Sequence, residues 1–305
     1  MKWSLYVEQH AVTLPFTTSG SWLILSPIEA SIRRKIEDVG TPLKDWDITI
    51  KRGILTGYNE AFIISTAKRD EILANCQSEE ERQRTADLIR PILRGKDIKR
   101  YGYDWAGLWL INTHNGVKGE LPPINITLYP AIKAHLDSHW DRIARRSDQG
   151  ITPYNLRDCT YVEEFDKPKI VYGEIQTDNE IESYPFPAFS FNQNKAVVLN
   201  SGYIMTSDSV DVRFILAVLN SKLGRFLVKQ YVTQLQKRQF RMLAQYVELF
   251  PIPMLSRDKM DYIIKMIEAY PSHPPKEIED KVERAVCSWY ELNAEELAHI
   301  MENEF

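Results

Sequence analysis

Val212-Arg213-Phe214-Ile215-Leu216-Ala217-Val218-Leu219-Asn220-Ser221-Lys222-Leu223-Gly224-Arg225-Phe226-Leu227-Val228-Lys229-Gln230-Tyr231-Val232 carries the longest helical repeat in this 305-residue chain. Phe214, Ile215, Val218, Leu219, Phe226 and Leu227 recur at helical spacing, which predicts one helix over residues 212–232. Thr233-Gln234-Leu235-Gln236-Lys237-Arg238-Gln239 then breaks the pattern, and Leu249-Phe250-Pro251-Ile252-Pro253 halts whatever follows. The same region holds seven bases between Val212 and Val247 (Arg213, Lys222, Arg225, Lys229, Lys237, Arg238 and Arg241) and no Asp or Glu. The whole chain is nonetheless acidic, with 38 bases against 42 acids. Residues 258–305 hold twelve acids and five bases, so this tail is −7 and the body before it is +3. Fields fade beyond a Debye length of roughly 8 to 10 Å, so local charge decides what a surface attracts. The body therefore reads as a polyanion binder with an acidic appendage.

Upstream of the helix, strands and helices alternate irregularly. Trp22-Leu23-Ile24-Leu25 predicts a strand, followed by a helix over Pro27–Val39 with Ser26 as N-cap, Pro27 at the first position, Glu29 closing a capping box and Gly40 ending it. Residues 48–64 predict a hairpin around Gly53 and Gly57. Helices are expected over residues 68–74, 79–93 and 128–145, with a strand at Trp109-Leu110-Ile111-Asn112 between the last two. Lys169-Ile170-Val171-Tyr172, Ala188-Phe189-Ser190-Phe191 and Lys195-Ala196-Val197-Val198-Leu199 read as strands of a second mixed lobe. Downstream, helices are expected over residues 259–269 and 276–301. The absence of a βαβα rhythm favours an irregular α+β fold of mixed sheets and helices with a helical C-terminal tail.

Composition and missing motifs exclude several classes. A chain that is 44% apolar and 26% charged is an ordinary globular protein of one large or two smaller domains. Lys2, Glu8 and His10 interrupt the N-terminal stretch, so neither signal peptide nor membrane span is expected, and a cytoplasmic location is. Cys76, Cys159 and Cys287 are too dispersed for a zinc knuckle or a disulfide framework. There is no GxGxxG, GxxxxGK[ST] or GxSxG, and no [DN]PP[YFW] motif. His135 and His139 have metal-ligand spacing, but Leu136 stands where a zincin needs Glu, so a solvated helix face is expected. The clusters Glu79-Glu80-Glu81, Glu163-Glu164 and Glu295-Glu296 likewise read as solvated surface.

Several segments suit DNA. Lys51 and Arg52 can meet phosphates, the glycines at 53 and 57 permit close approach, and Thr56, Tyr58 and Asn59 can bond phosphates or base edges. A plain hairpin turn accounts for that segment equally well. Arg90, Arg94, Lys96, Lys99 and Arg100 face only Asp97 locally; helix-end capping explains Arg94 and Lys96 but not the continuation. Arg145 and Arg146 repeat the theme. Gln234, Gln236 and Gln239 beside Lys237 and Arg238 are suited to base edges, as they are to a polar loop.

Taken in order, these segments resemble the TaqI-like C-terminal specificity (target-recognition) domain of N6-adenine DNA methyltransferases and type IIG restriction-modification enzymes. The residues that carry the likeness are Gly53 through Ile64, Leu88 through Tyr101, Trp109-Leu110-Ile111, Tyr129-Pro130-Ala131-Ile132-Lys133, Arg146 through Gly150, Lys169-Ile170-Val171, Leu219 through Leu223, Phe250-Pro251-Ile252-Pro253 and Val282 through Glu296. The resemblance implies a lead-in at residues 1–21, a specificity domain at 22–257 and an acidic helical tail at 258–305. It implies double-stranded DNA as partner, no catalytic residue here, and no cofactor in this chain. S-adenosylmethionine would belong to a separate methyltransferase domain, supplied by the parent enzyme or a partner subunit. The expected positive face is Lys51, Arg52, Arg94, Lys96, Lys99, Arg100, Arg146, Arg225, Lys229, Lys237 and Arg238. The expected readers are Thr56, Tyr58, Asn59, Gln234, Gln236 and Gln239. Two other functions stay open: a diverged methyltransferase or nuclease with its own active site, and a subunit that binds protein through its C-terminal helices.

Overall fold

Ser26 Oγ accepts the Glu29 N–H while the Glu29 carboxylate accepts the Ser26 N–H at 2.7 Å, and this reciprocal cap starts helix α1 (Pro27–Val39) as the local sequence predicts. The computed structural model describes residues 25–178, 186–270 and 274–302; the expected strand at Trp22-Leu23-Ile24-Leu25 lies, but for Leu25, outside them, as does the lead-in segment. Ile32 and Ile36 of α1 are fully buried, and α1 runs straight into β1 (Gly40–Pro42). That strand pairs antiparallel with β12 (Pro251–Pro253), so the proline-flanked segment near residue 250 closes the fold against its beginning.

Two four-stranded sheets carry the chain between. In the first, β2 (Thr49–Arg52), β10 (Gly202–Thr206), β6 (Lys169–Gly173) and β8 (Phe189–Asn192) lie in that order, all antiparallel. In the second, the order is β3 (Ile63–Ser65), β5 (Leu108–Ile111), β4 (Ile89–Leu93) and β9 (Val197–Val198), with β4 and β9 parallel. The expected hairpin over residues 48–64 therefore does not form. Its two strands enter different sheets, and a helical turn, α2 (Asn59–Phe62), lies between them. Gly53 makes the crossing possible: a Cβ there would sit 2.2 Å from the Leu199 carbonyl oxygen. Nor is there a second lobe beginning near residue 169, because β10 pairs with β2 and β9 with β4.

Four predicted helices are cut short or divided, the one expected over residues 276–301 among them, which breaks between Trp289 and Ala294. After α3 (Thr66–Ala74), the helix expected over 79–93 stops as α4 (Glu79–Leu88), since Pro91 has no N–H to offer a helix interior, and Ile89–Leu93 becomes β4. The pattern over 128–145 divides into α5 (Pro130–Asp137) and α6 (Trp140–Ile143). The pattern over 212–232 divides into α7 (Val212–Leu219) and α8 (Lys222–Tyr231) at Asn220-Ser221. There the Asn220 amide takes both the N–H and the C=O of Phe189, each at 2.9 Å, and the Ser221 hydroxyl caps α8.

The remaining strands and α-helices of the described residues are β7 (Ile175–Thr177), β11 (Gln239–Arg241), α9 (Ala244–Val247), α10 (Arg257–Ala269), α11 (Lys276–Trp289) and α12 (Ala294–Glu302). The acidic tail is a layer of the core, not an appendage. Val286, Tyr290 and Ile300 are fully buried in one cluster with Ile32, Phe214 and Phe250, and the Tyr290 hydroxyl donates to the Pro251 carbonyl at 2.8 Å. A second cluster, around Phe62, Ile92, Leu110, Leu136 and Val197, fills the space behind the other sheet.

Candidate nucleic-acid interface

Strands β7 and β11 form a two-stranded ribbon, with Gln239 opposite Thr177, Phe240 opposite Gln176 and Arg241 opposite Ile175. Residues 233–241 fold back as a hairpin beside it, closed by Leu235 N–H to the Gln239 carbonyl at 2.6 Å and Arg241 N–H to the Thr233 carbonyl at 3.2 Å. Phe240 points inward, stacking on Phe186 at 5.3 Å, so strand alternation turns Gln239 and Arg241 to the outer face.

Two carboxylates organise the cations around this ribbon. Glu174 accepts Arg52 Nη2 at 2.6 Å and Arg241 Nη2 at 3.0 Å. Asp178 accepts Arg225 Nη2 at 2.8 Å, Lys229 Nζ at 2.8 Å and Arg238 Nη2 at 3.1 Å. The acid-free run over 212–247 is thus answered by acids from outside it. Among the described residues, five cations meet these two anions. Burial opposes ionisation of Asp178, but Lys229, Arg225 and Arg238 override it and hold its carboxyl below the usual range. Burial and crowding by Arg225 and Arg238 lower Lys229 despite its carboxylate partner, as one anion shared among three cations requires. Exposure separates the cations by task. Arg52 and Arg241 side chains are 50% and 49% exposed, whereas Arg225 and Lys229 are 19% and 16% exposed. The first two can reach a phosphate; the second two hold the ribbon.

At another edge, the glycine loop and the Arg146 segment come together as a built unit. Buried Arg146 lies over the Phe62 ring at 4.2 Å and donates to the carbonyls of Thr56, Pro153 and Asn155. Burial pushes its guanidinium down to about 10. Gly57 has φ +71°, and a Cβ there would lie 2.7 Å from the Asp148 carbonyl oxygen. Thr56 is fully buried and donates to Asn59 Oδ1 at 2.6 Å, so it supports the loop and presents nothing outward. Asn59 is exposed; Tyr58 is half-buried, its hydroxyl on Glu60 and its ring edge-on to His139 at 6.1 Å. Lys51 Nζ sits 5.7 Å from the Tyr161 ring centre.

Residues 90–252 match the TaqI-like C-terminal specificity domain. This chain belongs to that family. The chain is 26% identical over 235 residues to the type II methyltransferase M.PaeR7I of Pseudomonas aeruginosa, covering 76% of this chain and 37% of that one. It is 23% identical over 238 residues to the type II methyltransferase M.XhoI of Xanthomonas vasicola, with 77% and 39% covered. The chain therefore spans under two-fifths of these relatives. Its fold is shared with the type IIL restriction-modification enzyme MmeI, solved in complex with DNA, at TM-score 0.58 and 15% identity over 86% of this chain and 36% of that one. It is also similar to the type IIG restriction endonuclease BpuSI, at TM-score 0.50 and 9% identity over 90% of this chain and 33% of that one.

Several of the specificity domain's expected surface groups have internal work. Arg90 donates to the Lys195 carbonyl and to Asp166, and Arg94 forks onto Asp97 at 2.7–3.2 Å. Arg100 donates to the Asn220 carbonyl at 3.0 Å and to Glu279 at 2.8 Å, with Glu283 at 3.7 Å. Lys96 is exposed, and Lys99 lies on the Lys96 carbonyl at 3.2 Å and 3.9 Å from Asp104. Gln236 and Lys237 are exposed at the hairpin tip; Gln234, also exposed, bridges Phe240 on the hairpin's other strand. Two carboxylates expected on the surface are buried: Glu81 accepts Ala131 N–H at 3.0 Å, and Glu296 accepts Lys35 Nζ at 2.7 Å and Ser31 Oγ at 2.7 Å. His135 Nε2 is 2.9 Å from the Ala61 carbonyl oxygen, and no group of three or more metal-ligating side chains occurs among the described residues. None of the described helices is long and apolar enough to cross a membrane. Residue chemistry alone passed over Glu174 and Asp178, which are not bases, and left Arg241 off the expected face although it stood in the basic run.

Proposed function

We propose that this specificity domain docks on duplex DNA and selects the site at which an adenine-N6 methyltransferase, supplied by another domain or chain, acts. A nuclease in the same assembly is compatible with the restriction-modification relatives. S-adenosylmethionine then binds the methyltransferase part, which extrudes its target base for reaction, while this chain supplies position and choice. The observation that carries the proposal is the cation-rich β7–β11 ribbon, with half-exposed Arg52 and Arg241 beside the exposed Lys237. Arg52, Arg241, Lys237, Lys51, Lys96 and Lys99 are the proposed phosphate contacts. Asn59, Tyr58, Gln236 and Gln239 are the proposed groups for base edges. Arg94, Arg100, Arg146, Arg225, Lys229 and Thr56 support them from within.

The test is binding of the chain to random-sequence duplex DNA as a function of salt. Contact through phosphates makes log affinity fall linearly with log salt, with a slope of about −0.9 per phosphate engaged. Several engaged phosphates are expected. Binding that is absent at low salt, or insensitive to salt, would refute the proposal.

A further inference from the structure

Helix α10 presents two faces. Ile263 and Ile267 are buried in the core, and the helix packs against α7. On the outside, Arg257, Asp261 and Lys265 form one i, i+4 row, and Met260, Ile264 and Glu268 form the row beside it. All six line one open groove of about 930 Å³, to which Trp46, Val210 and Met254 contribute from outside the helix. Met260 and Ile264 are half-buried, and Met254 is 70% exposed. Contiguous apolar surface rimmed by charge marks a contact site, and methionine adapts its shape to what packs on it.

The charges decide what fits this groove. Its lining holds three bases, Arg213, Arg257 and Lys265, and three acids, Asp211, Asp261 and Glu268, so a polyanion finds no net attraction there. Along α10 the order is Arg257, Asp261, Lys265, Glu268, in which positive and negative alternate. Read in reverse, this series is its own complement, which is what a two-fold contact between identical surfaces requires. The groups are available for it. The Arg257 side chain is 90% exposed and comes no nearer to Asp261 than 4.0 Å, and Asp261 and Lys265 are exposed. Glu268 is exposed as well, and Arg213 holds it in place from below.

We propose that the outer face of α10 is a self-association surface, on which a second copy of this chain docks with its own α10 antiparallel. Helices packed in this way lie about 8–10 Å apart. A two-fold axis crossing the face midway between Asp261 and Ile264 sets Arg257 against Glu268 of the second copy and Asp261 against Lys265 of the second copy. The same axis brings Met260 onto Ile264 of the second copy, so apolar contact lies at the centre and ion pairs lie at the flanks. None of these residues belongs to the β7–β11 ribbon, and the inference does not rest on the DNA-docking function proposed above.

The experiment is sedimentation equilibrium of the 305-residue chain over a range of concentrations, for the wild type, Asp261→Lys, Lys265→Glu and an equimolar mixture of the two variants. The wild type should show a reversible monomer–dimer equilibrium in the micromolar range, as a contact of modest area gives. Each variant alone sets like charges opposite each other twice, so each should associate at least roughly tenfold more weakly. In the mixed dimer both contacts again join opposite signs, and the mixture should recover the wild-type association. Recovery requires both variants to be folded, so it separates lost complementarity from lost structure. A wild type that stays monomeric well above the micromolar range overturns the proposal and leaves the groove to a protein of another sequence. Variants that dimerise as the wild type does, or a mixture no tighter than its parts, overturn it as well.

Discussion

Arg100 Nη1 stands 2.8 Å from Glu279 Oε1, and that pair ties the domain's positively charged body to its acidic tail. The same guanidinium takes the Asn220 carbonyl at the α7–α8 break and lies 3.7 Å from Glu283. At 15% side-chain exposure it belongs to the interior more than to any outer face. Removing the arginine leaves part-buried Glu279 and buried Glu283 near each other without their cation, which costs about 1–3 kcal/mol. Arg100→Ala should therefore destabilise the chain by that order in urea denaturation, whereas Lys96→Ala, at an exposed position, should leave the midpoint within about 0.5 kcal/mol. An unchanged midpoint for Arg100→Ala would demote the pair to the surface class.

Glu283 gives this junction a pH dependence. Its carboxylate accepts the Lys222 N–H at 3.0 and 2.9 Å at the start of α8, and burial pushes it up to about 7 from 4.5, against the pull of Lys222 and Arg100. In the unfolded chain the group titrates near its ordinary value, so between about 4.5 and about 7 the folded state holds a proton that the unfolded state lacks. The sign follows: this group's contribution is greatest below about 4.5 and is lost as pH rises through about 7. Glu283→Gln should flatten this part of the stability profile. Urea midpoints at several pH values across that window, for both proteins, make the comparison; identical slopes would show that Glu283 does not titrate there.

How much of this was legible in the sequence depended on reach. The Ser26-Pro27-Glu29 cap lies within one turn and was readable outright, as were β6 and β8, whose β-branched and aromatic runs need no distant partner to be recognised. The break at Asn220 was not, because the apolar spacing continues through it and the cause is a side chain reaching Phe189, 31 positions away. Charge behaved the same way. Seven bases without an acid can be counted in a line, but Asp178 joins Arg225 from 47 positions upstream and Glu174 joins Arg241 from 67. Arg146 shows the other side of this limit: an arginine beside glycine and aspartate looks like surface until Phe62 is found beneath it.

The Arg146 guanidinium makes its own prediction. It serves three backbone carbonyls from one planar group, which an ammonium cannot imitate. Arg146→Lys should lose most of the stability that Arg146→Ala loses, on the order of 2–4 kcal/mol, since the carbonyls of Thr56 and Asn155 stay unanswered in either case. Gly57→Ala should destabilise the same loop by about 1–2 kcal/mol through its left-handed backbone. Thermal unfolding of the three variants checks this, and full rescue by Lys would assign Arg146 a simple charge role.

Glu174 offers the sharpest test of which face meets DNA. Its carboxylate holds Arg52 and Arg241, the two half-exposed cations of the ribbon, and cancels one of their two charges. Phosphates arriving at this face must compete with it. Glu174→Gln keeps the side chain's shape and a hydrogen-bond acceptor while removing the charge. Duplex affinity at low salt should therefore rise several-fold, and the log–log salt slope should steepen by up to about 0.9, one further phosphate's worth. Arg52→Ala and Arg241→Ala should each shift the slope the opposite way by a similar amount. Opposite signs from one carboxylate and its two partners cannot arise from general unfolding, which weakens binding in all three. Were Glu174→Gln to leave affinity and slope unchanged, the ribbon would lie away from the DNA, and the exposed Lys96 and Asn59 would mark the face to examine instead.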